Sequence, residues 1–147
     1  MSEPITILSG ATVTHEEFLN FLKSLGAILT PESEFDARLS DVERHLWIAF
    51  DDEGLRSFEE DEELAQERET IERMLGAKPR TQVVVEISDT EGSERMAVDF
   101  ACAFAKKWPS VVDDSRDKIY SMHELFDLRR NGRGFTDRYL LPSSESR

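Results

Sequence analysis

Apolar and polar positions along this chain follow two rhythms, one of period two and one near 3.6, and their succession predicts the elements. Ile5 to Leu8 reads as a first strand closed by Gly10. Thr14-His15-Glu16-Glu17 has the form of a capping box, in which the threonine hydroxyl meets the N3 amide and the glutamate reaches back. Phe18, Phe21, Leu22 and Leu25 follow at helical spacing, and Gly26 ends that helix. Ile28-Leu29 fits a short strand before Pro31, and the polar stretch Glu32 to Asp41 reads as a loop. His45 to Phe50 is short, aromatic-rich and nearly continuous in apolar character, as a buried strand is. Asp51-Asp52-Glu53-Gly54 then reads as a turn. A thin stripe of Leu64, Ile71, Met74 and Leu75 predicts a helix from about Glu60 to Leu75, closed by Gly76.

The second half is more regular. Thr81 to Ser88, with Val83-Val84-Val85 at its heart, predicts a central strand. Ser93 to Trp108 predicts a helix whose inward face carries Ala97, Phe100, Ala101, Phe104, Ala105 and Trp108, stopped by Pro109. Ser110 to Asp113 and Lys118 to Tyr120 read as two strands, and the turn between them fits a hairpin. Ser121 and Glu124 make a second capping box, opening a helix to about Arg130 that ends at Asn131-Gly132. This order predicts a single α/β (α+β) domain over residues 1–140, a mixed β-sheet of about four to five strands with helices packed on it. Residues 141–147 read as a polar, frayed tail.

Charge changes the picture more than size does. The chain has 147 residues, 18 basic against 31 acidic, for a net −13. Such a field repels nucleic acid and anionic membranes and favours basic protein partners. The excess is local. Between Asp51 and Glu72 stand eleven acidic residues against Arg56 and Arg68, a net −9. Asp51, Asp52, Glu53, Glu59, Glu60, Asp61, Glu62, Glu63 and Glu67 are therefore the candidate partner-binding residues. The bland alternative is that acids simply stabilise a helix start and keep the protein in solution.

Chemistry is harder to place. His15, His45 and His123 lack a His or Cys neighbour at metal-ligand spacing, and the lone Cys102 lies beside the apolar stripe of an alanine-rich helix. Asn131-Gly132-Arg133-Gly134 follows a helix and opens none, so it lacks the context of a phosphate loop. The best enzymatic candidate is a set of strand-end carboxylates, Asp51, Asp52, Asp89, Asp113 and Asp114. These would converge on Mg²⁺ in a small hydrolase if their strands were parallel neighbours. Asp is equally a favoured turn residue where strands stop. Arg129, Arg130, Arg133 and Arg138 form a basic remnant beside Phe135 and Tyr139, which internal pairing with the acidic excess would explain. No secretory leader pattern precedes Ile5, and one cysteine makes no internal disulfide, so the expected location is cytoplasmic.

One linked arrangement adds a family. Val83-Val84-Val85-Glu86-Ile87-Ser88, Gly92, the helix with Ala97, Ala101, Phe104 and Ala105, then Trp108-Pro109-Ser110-Val111-Val112-Asp113-Asp114, Ile119-Tyr120-Ser121 and Glu124-Leu125 follow one another. This final third resembles the C-terminal segment of bacterial immunity proteins that neutralise polymorphic or type VI secreted toxins. The resemblance implies a non-enzymatic protein, without cofactor, that binds one cognate toxin. Its motifs are structural, so it transfers no inhibitory residue. A general protein-binding adaptor and the strand-end hydrolase are the alternatives.

Overall fold

A computed structural model describes residues 4–116 and 118–135; the polar tail and Arg138 and Tyr139 lie outside the described residues. The elements run β1 (Ile5–Ser9), α1 (His15–Ser24), β2 (Ile28–Leu29), β3 (Ala37–Asp41), β4 (Arg44–Phe50), α2 (Asp52–Glu60), a 3₁₀ turn (Glu62–Leu64), α3 (Ala65–Leu75), β5 (Thr81–Ile87), α4 (Ser93–Lys107), β6 (Ser110–Asp113), β7 (Ile119–Tyr120) and α5 (Met122–Arg130). The fold is α+β. Among the described residues seven strands form one sheet in the order β2-β3-β4-β5-β1-β6-β7. Every neighbouring pair is antiparallel, so the sheet is neither mixed nor limited to four or five strands.

Alternation along the strands divides the core in two. Ile5 and Ile7 of β1, Leu46 and Ile48 of β4, and Val83, Val85 and Ile87 of β5 face α1, α4 and α5 and build the larger core. Phe104 is its hub. The Phe18, Phe21 and Trp108 rings lie 6.4, 5.8 and 4.9 Å from it, within the range of tilted and edge-to-face packing. The alanines of α4 are buried, as the stripe predicts, and let the helix approach the strands closely. Both capping boxes are present, at Thr14 with Glu17 and at Ser121 with Glu124.

The opposite face holds a smaller core. Leu8 and Val111 point there and receive Leu55 of α2 and Ile71 of α3. These two helices cover only part of that face. Strand alternation sends His45, Trp47 and Ala49 of β4 and Val84 and Glu86 of β5 to the remainder, where each stays half-exposed.

Three expectations about the first half need correction. Residues Ala37–Asp41, read as loop, form β3. Only Ala37 of that strand is fully buried, which left no apolar run to see. Asp51-Asp52-Glu53-Gly54 is a helix start rather than a turn. The segment up to Leu75 is two helices, with a break at Asp61. The β3–β4 connection is a two-residue turn in which Val42 has φ 54° and is 89% exposed. Such turns favour Gly, Asn or Asp. A left-handed conformation costs an ordinary residue about 1–2 kcal/mol.

Candidate functional site

The acidic segment folds into a helix, a corner and a second helix. Asp51 opens it: its Oδ1 accepts the Gly54 amide at 2.9 Å and its Oδ2 accepts Gln82 Nε2 at 3.1 Å. A Cβ at position 54 would run into the Asp51 carboxylate and the Gln82 amide, so only glycine fits the cap. Leu55 and Phe58 turn inward at helical spacing and seat α2. At Asp61 the backbone becomes extended, with φ −83° and ψ 112°. The Asp61 carboxylate accepts the Glu63 amide at 2.9 Å and starts the 3₁₀ turn. Arg68 closes the corner from α3. Its Nη1 donates to the Phe58 carbonyl at 2.7 Å and also to the Asp61 carbonyl. These satisfy acceptors that the end of α2 leaves without intrahelical partners.

Asp52, Glu53, Glu59, Glu60, Asp61, Glu62, Glu63 and Glu67 are all exposed, and Asp51 is half-buried in its capping role. Helix-end electrostatics explains some of them. Asp52 and Glu53 lie in the first turn of α2, Glu62 and Glu63 in the first turn of the 3₁₀ segment, and Glu67 in that of α3. There the helix dipole favours negative charge. Glu59 and Glu60 lie in the last turn of α2, where the dipole disfavours it and no basic residue stands. The reading of the acidic run as a helix start therefore fails for these two. Sequence reasoning also missed Arg68, the cation that closes the corner. Its signal was its position as one of only two basic residues in the acidic stretch.

The strand-end aspartates do not converge. Asp51 stands beside Gln82, whose carbonyl accepts its amide, whereas Asp89 follows Ser88, whose amide donates to the His45 carbonyl. Because β4 and β5 are antiparallel, Asp51 and Asp89 lie at opposite ends of the sheet, roughly 20 Å apart along the strands. Asp113 and Asp114 shape the β6–β7 turn. Asp113 Oδ1 accepts the Ser115 amide at 2.9 Å, and Asp114 Oδ1 accepts the Arg116 and Lys118 amides at 2.9 and 3.2 Å. Burial raises the Asp113 carboxyl above its ordinary value, with the Asp114 charge adding to it against the Ser115 hydrogen bond. Among the described residues, no group of three or more His, Cys, Asp or Glu side chains could hold a metal ion.

The remaining candidates have local partners. His15 Nε2 lies 2.9 Å from Asp36, His45 Nδ1 2.7 Å from Ser40 and His123 Nε2 3.4 Å from Asp127. Burial pushes the Cys102 thiol up to about 11, far from a nucleophile's range. Arg129 pairs with Asp99 at 3.2 Å and Arg130 with Asp127, while Phe135 is buried and offers no stacking platform. Among the described residues no helix is long and apolar enough to cross a membrane. Comparison of the chain with protein-family models, with curated proteins and with solved structures gave no match.

Proposed function

We propose that this protein is an immunity-type inhibitor that docks the acidic α2–α3 corner against a basic face of a protein toxin and so blocks it. The observation that carries the reading is the placement of Glu59 and Glu60. The helix dipole disfavours negative charge there and no basic residue shares their turn, so Arg56 one turn back, Arg68 across the corner, and Lys78 and Arg80 in the cleft beside Glu59 are the cations left to face the whole acidic run. Glu59 and Glu60 repel Asp61, Glu62 and Glu63 in the free protein, and a cationic surface would relieve that repulsion on binding. The resemblance of the C-terminal third to immunity proteins supports the same reading. Charged groups of this kind mainly set the association rate and choose the partner, while buried apolar contacts supply most of the affinity.

The test is co-expression with the protein encoded by the adjacent open reading frame, scoring host growth. The proposal expects that protein to be lethal alone, harmless with this chain, and co-purified with it at fixed stoichiometry. A harmless neighbour that does not co-purify refutes the inhibitor reading. Glu59→Lys, Glu60→Lys and Glu63→Lys together should slow association and weaken binding. Unchanged binding would remove the acidic corner from the interface while leaving the inhibitor role in place.

A further inference from the structure

The helices of the acidic corner occupy part of one sheet face, and among the described residues no helix covers the rest. Trp47 is at its centre, with Arg38 of β3 and Glu86 of β5 opposite it in register. Beyond Arg38, Ile28 of the edge strand is 55% exposed. Ala49 and its partner Val84 continue the half-exposed surface toward the start of α2. Arg38 and Glu86 carry opposite charges, so the field over this area takes its sign from the acidic helices on the same face. At the far end of β4 stands the hairpin tip with Val42. A β-branched side chain there is unfavourable on two counts, left-handed backbone and apolar exposure, and its 89% exposure leaves little burial within the chain to offset either. Strain kept at an exposed tip points toward function.

We propose that this open half-face, with the acidic corner at one end and the Val42 tip at the other, is the docking surface for a basic partner protein, with Val42 and Trp47 as its apolar anchors. This rests on the inhibitor reading above and supplies the anchors that reading needs. β4, Arg44–Phe50, carries the surface about 20 Å from the Val42 tip to the start of α2, and the nine residues of α2, about 13 Å of helix, lead on to the corner. A single standard interface of about 800 Å² per partner covers such a span. Charge selects the occupant. A second copy docked through the same face would bring together two chains that each carry −13. A basic partner turns that repulsion into attraction.

Val42→Asn separates this role from a structural one, because asparagine tolerates left-handed backbone and suits a hairpin turn but removes the apolar tip. The probe is the purified protein encoded beside this chain. The proposal expects the free variant to melt at a higher temperature while its complex dissociates faster, with Kd weakened by about tenfold or more. It also expects Trp47 fluorescence to change on binding, with the buried Trp108 as a near-constant background. A Kd equal to wild type, or silent fluorescence, overturns this surface. If Glu59→Lys, Glu60→Lys and Glu63→Lys weaken binding and Val42→Asn does not, the inhibitor reading survives and this inference fails. If the wild-type chain binds nothing, both fall. A homodimer in sedimentation that Val42→Asn disperses would replace the basic partner with a second copy.

Discussion

Replacing Glu59 and Glu60 with glutamine removes two negative charges while keeping nearly the same side-chain shape and helix propensity. Both residues are exposed in the last turn of α2, so little packing changes. An acid at a helix C-terminus costs about 0.3–1 kcal/mol, and exposure places these two toward the lower end. Repulsion adds to this. Two unit charges about 6 Å apart in water interact by roughly 0.7 kcal/mol before salt screening. Arg56, one turn back, offsets about 0.3–0.5 kcal/mol through its spacing to Glu59 and Glu60. The net expectation for the double variant is a gain of about 1 kcal/mol, or roughly 4 °C in melting temperature for a chain of this size. Thermal unfolding followed by circular dichroism, at about 10 mM and about 1 M salt, reads it directly. At the higher salt the screening length falls to about 3 Å, so most of the gain should vanish. A variant no more stable than wild type at low salt, or a gain indifferent to salt, would show that the two charges are satisfied locally. Glu59 and Glu60 would then need no cationic partner.

Two further outcomes follow from buried groups. Asp113 is held above its ordinary 3.8 by burial, so its ionised form destabilises the native state at neutral pH. That penalty is full above the raised native value and disappears as pH falls below 3.8. Asp113→Asn, which keeps an acceptor for the Ser115 amide, should therefore stabilise at pH 7 and make no difference near pH 3 in urea titrations; equal stability at pH 7 would refute the assignment. Cys102, buried and with its thiol pushed up to about 11, should react with a disulfide reagent at pH 8 only as fast as the chain opens, and rapid labelling of the native protein would contradict its burial.

The sequence disclosed elements wherever a local signal and a burial pattern coincided. α1 and α5 were legible because capping box, spacing and stop residue agreed, and α4 because its alanine-rich stripe ran unbroken to Pro109. β3 was not, since its alternate positions Arg38 and Ser40 face the open sheet surface and mimic a loop. α2 was hidden by its own charge: Asp51, Asp52, Glu53 and Gly54 have the composition of a turn, and the informative pair was Leu55 with Phe58, three residues apart. Strand direction was the deepest omission. Helical connections permit either direction, and the triple valine of β5 marked a central strand without showing which way its neighbours run or that Val84 stays half-exposed. The alternative of a metal site on strand-end aspartates needed parallel neighbours, and the antiparallel pairing of β4 with β5 keeps Asp51 and Asp89 apart. The acidic corner needed no topology to be noticed. Only the helix break at Asp61 showed which of its charges lie where a helix disfavours them.

The place of β1 in the middle of the sheet governs how the chain must be made. Residues 5–9 are made well before their neighbours in the sheet, since they pair with Thr81–Ile87 on one side and Ser110–Asp113 on the other. At about 5–20 residues per second, several seconds of synthesis separate the first strand from its first partner. During that interval Ile5, Ile7 and Leu8 have no sheet to join. The acidic stretch made in between adds mutual repulsion among nascent chains while they wait. Contacts this distant in sequence also make the final closure slow relative to a helical protein of equal length. The centre of the sheet, and with it the seat of α2 and α3 on Leu8 and Val111, is thus completed only once Ser110–Asp113 has been made.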